Sequence, residues 1–64
     1  MEFYETQEMT GSQIRRFTEA FDLEIGTECE VNSSTPTRWY AVCSELLPSE
    51  ARMVWEIENR ILNR

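Results

Sequence analysis

The reactive side chains of this chain are few. Two cysteines, Cys29 and Cys43, stand among twelve carboxylates; there is no histidine and no lysine, and all six bases are arginine. A thiol becomes a nucleophile when a nearby base or cation lowers its pKa, and no histidine is present to do so. Two cysteines do not complete a four-ligand zinc site. Without lysine there is no amine for Schiff-base or general-base chemistry. No glycine-rich phosphate loop, Ser/His/Asp set or metal-ligand spacing occurs, and carboxylate pairs arise by chance in so acidic a chain. The expectation is a non-enzymatic protein with no cofactor and no metal.

The thiols retain one option. Cys29 and Cys43 fall on two neighbouring expected strands. A hairpin register that sets Glu30 against Val42 also sets Cys29 against Cys43, and a slip of two residues separates them. A disulfide is geometrically open to them but disfavoured in a reducing compartment, so two reduced, buried thiols are expected. Asn32-Ser33-Ser34 matches a glycosylation sequon, which carries no weight without a secretory signal. The acidic start, Met1-Glu2-Phe3-Tyr4-Glu5, is unlike a targeting signal, and no apolar run is long enough to span a bilayer. A soluble, cytoplasmic protein is expected.

The elements that hold these residues are organised around the last quarter. Pro48 suits a first helical position, Glu50 the first turn, and Arg60 and Arg64 the last turns, where the helix dipole favours cations. Ala51, Val54, Trp55, Ile57, Ile61 and Leu62 share one side at helical spacing, with Arg52, Glu56, Asn59 and Asn63 opposite. Glu56 and Arg60 have the i,i+4 spacing of an ion pair. Glu58 interrupts the apolar sector. Its carboxylate either reaches water from the rim of a small core or pairs with Arg38, Arg15 or Arg16, across the core or across a subunit interface.

Upstream, residues 1–9 are an acidic N-terminal segment, strand or tail, and residues 10–64 form the domain. Thr10 and Gln13 have capping-box spacing, and Ser12 is a competing N-cap. The helix they start is expected to run to about Asp22, with Ile14, Phe17, Ala20 and Phe21 inward. Leu23 to Val31 alternates like a strand with one wet face, broken at Gly26. Asn32 to Thr37 reads as a loop, and Arg38 to Ser44 as a second, antiparallel strand. The expected fold is a small single α+β domain, (β)-α-β-β-α: an antiparallel hairpin or three-stranded sheet with two helices on one face.

Charge carries the functional content. The net charge is −6; residues 1–30 hold eight acids and two arginines, and the remainder four of each. This argues against direct contact with nucleic acid or anionic membrane and permits binding to a basic protein surface. Glu19, Asp22, Glu24, Glu28 and Glu30 are expected to share a face. Alternate residues of a strand lie ~6.5–7 Å apart, near the ~7 Å of two nucleotide steps, so the ladder could imitate a phosphate backbone. Trp39 and Tyr40, with Trp55, are the candidate apolar anchors of that contact.

In size, acidity and lack of catalytic side chains the chain resembles the small inhibitors that phages and mobile elements make against host nucleic-acid enzymes. The likeness is one of type, with no motif to carry residues across. It implies a DNA mimic that occupies the basic groove of such an enzyme. The alternative is a structural or assembly module that homodimerises through Trp55, Glu58, Ile61 and Leu62 of the last helix, a small domain of this length being marginal alone.

Overall fold

The structure is a computed structural model, and it describes residues 1–63. Arg64, expected beside Arg60 in the last helical turn, lies outside them. The element order is β1 (Glu2–Glu5), α1 (Gly11–Glu24), β2 (Glu30–Thr35), β3 (Arg38–Leu46) and α2 (Pro48–Leu62). The three strands form one antiparallel sheet in the order β1-β3-β2. This is the α+β architecture expected from the sequence.

Strand β3 is central because it is the longest run of β-favouring side chains, Arg38-Trp39-Tyr40-Ala41-Val42-Cys43 onward. Its alternation sorts the two faces of the sheet. Ala41, Cys43 and, beyond a bulge, Leu46 are fully buried on the inner face; Tyr40, Val42 and Ser44 point outward. Met9, Phe17, Phe21, Val54 and Ile57 complete the core against that inner face. Both helices pack there and against each other, with α2 also on β1. Strand β2 lies beyond their cover. Val31, paired with the fully buried Ala41, is 42% exposed for this reason.

Helix α1 begins as expected. The Gln13 N–H donates to Thr10 Oγ1 (3.3 Å) and the Thr10 N–H to Gln13 Oε1 (3.0 Å), satisfying two end groups reciprocally. Ile14, Phe17 and Phe21 are its buried stripe, and the two phenylalanine rings stack obliquely 6.0 Å apart. Helix α2 has Pro48 in its first turn. The Leu47 N–H is capped by Glu50 Oε1 at 2.8 Å. Its buried residues are Val54, Ile57, Glu58 and Ile61, while Trp55, expected in the apolar stripe, is 51% exposed.

Of the expected strand over Leu23–Val31, only Glu30 and Val31 are in a strand. Leu23 and Glu24 belong to α1, which stops where Gly26 takes φ 83° and returns its N–H to the Phe21 carbonyl (3.2 Å). The glycine ends a helix rather than bulging a strand. Strand β2 instead occupies Glu30–Thr35, most of the segment expected to be a loop. Its polar side chains suit a strand with no layer above it, and β3 supplies the hydrogen-bonding ladder that Asn32 and Ser33 do not demand by themselves. The turn shrinks to Pro36-Thr37, with proline's fixed φ at the corner.

Residues 1–9 run along β3 on its other side. Glu5 faces Val42 and Met9 faces Trp39, so the N-terminal segment carries one extra residue between these pairs. Thr6 spans the gap: its N–H donates to the Ala41 carbonyl and its Oγ1 accepts from the Ala41 N–H, both at 2.9 Å. A second irregularity lies in β3 between the Glu2–Leu46 and Tyr4–Cys43 pairs, where Glu45 has φ 59°. A left-handed residue with a Cβ costs roughly 1 kcal/mol. Glu45→Gly is therefore expected to raise stability by about 0.5 kcal/mol after glycine's extra unfolded-state entropy, and Glu45→Val to lower it by ~1 kcal/mol or more. Urea unfolding of the two variants checks both signs.

Candidate functional site

Glu58 is 5% exposed, and neither expectation for it holds. It does not reach water, and none of the arginines among the described residues approaches it: Arg38 donates to the Thr37 carbonyl at the hairpin tip, and Arg15 and Arg16 are exposed. Its partners are neutral donors from the N-terminal segment. The Tyr4 hydroxyl donates to Oε1, and the Gln7 N–H donates to Oε2 at 2.6 Å. Gln7 follows Thr6 in the bulged stretch, so its N–H has left the β3 ladder and needs an acceptor. Helix α2 supplies one through Glu58. Burial, together with the hydrogen bond to Glu58 and its nearby charge, raises the Tyr4 hydroxyl pKa far above the ordinary value of 10.0.

The candidate dimer interface changes accordingly. Ile61 is 6% exposed, not exposed in the monomer as that reading required, and Glu58 is engaged within its own chain in place of an arginine from a neighbour. Leu62 is half-buried. Trp55, beside Arg52, is the exposed remnant of the stripe.

The five acids of the expected ladder do not form one. Glu24 ends α1, Glu28 lies in the following loop, and Glu30 opens β2. Glu24 is also neutralised by Arg60 of α2, whose guanidinium fork donates to both carboxylate oxygens (2.8 and 3.2 Å). That bidentate bond ties the two helices and replaces the expected Glu56–Arg60 pair, since a planar fork across helices is better matched than an i,i+4 contact. Glu56 meets Arg52 instead at 3.5 Å. The hydrogen bond from Arg60 lowers the Glu24 pKa, so its contribution is whole above the ordinary value of 4.5 and fades as pH falls through the lowered one.

The remaining acids gather around the end of α1 and the open sheet face. Glu28 and Glu30 line a shallow depression with Cys29, Val42 and Ser44, and Val42 is flanked on its other side by Glu5. Asp22 and Glu28 line a second depression with Thr18, Phe21, Thr27 and Cys29. Glu19 is exposed on α1. Of the aromatic anchors, Tyr40 stands on the outer face, where Phe3 is 64% exposed. Trp39 stands on the inner face, half-buried, with its indole over Gly11 at the start of α1. Phe3 and Glu5 were missed in the sequence, although the alternation of Phe3, Tyr4 and Glu5 marks which residues of an edge strand face outward.

Cys29 and Cys43 are both free. The β2–β3 register pairs Glu30 with Val42, which directs Cys29 toward Cys43. No group of three or more potential ligands that could hold a metal ion occurs among the described residues, and no described helix is long and apolar enough to cross a membrane. Comparison with family models, curated proteins and solved structures finds no match to this chain.

The Glu58 cluster makes a sharp prediction. Glu58→Ala orphans two donors and is expected to cost ~3–4 kcal/mol, and Tyr4→Phe ~1–3 kcal/mol. Below pH 10 the Tyr4 hydroxyl is protonated in both folded and unfolded chains. Above it the unfolded chain releases that proton first, so stability falls as pH rises. Urea unfolding between neutral and alkaline pH is expected to show this loss in the native protein and a smaller one in Tyr4→Phe.

Proposed function

We propose that this protein is a non-enzymatic binding module, an inhibitor or modulator that presents an anionic sheet face to a basic protein surface. The observation that carries the reading is the placement of Glu5, Glu28 and Glu30 around Val42 on the side of the sheet that neither helix covers. Like charges held together on one face repel, so a purely structural domain gains nothing by gathering them. Phe3, Tyr40 and Val42 between them offer the apolar contact that charge alone does not provide, since charge mainly sets on-rate and specificity.

The partner of matching chemistry is a nucleic-acid-binding enzyme whose groove is lined with arginine and lysine. The protein would occupy that groove as a DNA mimic, in the manner of the phage and mobile-element inhibitors that its size and acidity resemble, and in the cytoplasm where such enzymes work. The mimicry rests on the outer-face acids: Glu5 and Glu30 lie two strands apart, ~9–10 Å by sheet geometry. Glu24 has no part in it, being held by Arg60. The rival reading, an assembly module that homodimerises through α2, keeps only exposed Trp55 in its favour. Sedimentation at low concentration separates the two: a dimer that Trp55→Ala dissociates favours the rival, a stable monomer favours an inhibitor acting alone, and both readings hold together where a dimer presents two acidic faces.

The proposed reading predicts salt-sensitive, DNA-competed binding. Nucleic-acid-binding enzymes of the source cell, retained on the immobilised protein at ~50 mM salt, are expected to weaken at least about tenfold by ~200 mM and to be displaced by duplex DNA. Glu28→Lys with Glu30→Lys is expected to abolish retention while changing stability by no more than about 0.5 kcal/mol, both side chains being exposed. Retention that is flat across salt and indifferent to duplex DNA rejects the reading.

A further inference from the structure

The two thiols are the one reactive cluster that the binding role leaves unused. Cys43 is fully buried at the centre of β3; Cys29, one residue before β2, packs on the same core from its edge. Carried one residue past the Glu30–Val42 pair, the register of β2 and β3 sets them opposite each other on the inner side of the sheet. Directly opposed residues of antiparallel strands have Cα atoms about 4.5–5.5 Å apart, within the range a disulfide spans. Access is one-sided. Cys29 borders both surface depressions, with Glu30 and Ser44 on one side and Thr18 and Asp22 on the other, whereas Cys43 borders neither.

We propose that Cys29 and Cys43 form a redox-active dithiol in which Cys29 accepts a small neutral or cationic disulfide and Cys43 resolves the adduct into a cross-strand bond. In the first step the Cys29 thiolate attacks one sulfur of the disulfide RSSR. A Cys29–SR bond forms, and RS⁻ leaves and takes up a proton. In the second step Cys43 loses its proton and attacks the Cys29 sulfur; the Sγ–Sγ bond forms and the second RS⁻ leaves. Two protein thiols are oxidised by two electrons, and one RSSR is reduced to two RSH.

The surroundings assign these roles. Cys29 is also the thiol that borders solvent, and interaction with the neighbouring Cys43 thiol lowers its pKa from the ordinary value, which favours Cys29 as the attacking sulfur. The same interaction, with burial and the nearby charges of Cys29 and Glu58, raises Cys43, so it stays protonated until Cys29 has been capped and its charge removed. Asp22, Glu28 and Glu30 border Cys29, and Tyr4 and Glu58 face Cys43 from β1 and α2. The acids at the entrance repel an anionic disulfide and attract a cationic one. The closed bond would join the loop before β2, which no helix covers, to the central strand.

The test uses the full chain with three probes: cystamine, bis(2-hydroxyethyl) disulfide and oxidised glutathione. Intact mass is expected to fall by two hydrogens, with a peptide linking Cys29 to Cys43, and to return with dithiothreitol. The rates are expected to rank cystamine above the neutral probe and oxidised glutathione last, the spread narrowing as salt rises. Cys43→Ala is expected to stop at a stable adduct on Cys29, and to move the pH midpoint of Cys29 alkylation upward because the neighbouring thiol is gone. Should that variant unfold, quenched-flow mass spectra of the native protein read the same order, a transient adduct on Cys29 before closure. An adduct that forms first on Cys43, one that persists in the native protein, disulfide-linked dimers as the main product, or reaction only in denaturant overturns the proposal.

Discussion

A buried carboxylate sets the terms on which this small fold holds together. Glu58 lies on the core-facing side of α2, and an ionised group taken out of water must recover what hydration supplied. It does so from the far end of the chain, through the Tyr4 hydroxyl and the Gln7 N–H. Each such bond to a charged acceptor contributes on the order of 1.5–3 kcal/mol. A 64-residue domain has roughly 3–10 kcal/mol in total on per-residue scaling. One side chain thus fastens the N-terminal strand to the C-terminal helix with a large share of the available stability. The requirement is mutual, because the bulge at Thr6 frees the Gln7 N–H and would leave it unpaired without Glu58.

That fastening explains the asymmetry of the sheet. Both helices are drawn over β3, and α2 over β1 as well, where Tyr4, Met9, Ala41, Cys43 and Leu46 offer the contacts. Nothing remains to cover β2 or the outer face. An uncovered strand tolerates Asn32, Ser33 and Ser34, and an uncovered face tolerates Glu5, Glu28 and Glu30. The same geometry separates two kinds of chemistry by one step of the pleat: acids beside Val42 outward, thiols at Cys29 and Cys43 inward. The helix-free face and the thiol pair meet at residues 28–30, where the chain enters the sheet.

Particular residues show how far a sequence reads. The capping pair Thr10 and Gln13, the Phe17–Phe21 stripe, Pro48 and the aromatic run at Trp39 and Tyr40 act locally, so their elements appear where propensity and period put them. Leu23 to Val31 misled because alternation over a few residues is equally the tail of a helix, and only packing of Phe21 together with the left-handed turn at Gly26 decides between them. Strand β2 was illegible for the opposite reason: its polar residues state no preference, and β3 imposes the ladder. Glu58 stands out in the sequence as an anomaly, but its partners are not legible there, because charge is what a sequence displays and both partners are neutral donors. A backbone N–H released by a bulge carries no mark in the sequence.

By itself, then, the sequence determined the α+β class, the two helices and the uneven distribution of acids, since these follow from periodicity, end groups and composition within short windows. Tertiary structure alone decided that Arg60 would take Glu24, that Tyr4 and Gln7 would take Glu58, and which acids would stand together on the open face. The physical reason is range. Turns and helix ends are settled between residues a few positions apart, whereas a hydrogen-bond partner fifty residues away is chosen by which groups the folded chain strands without water.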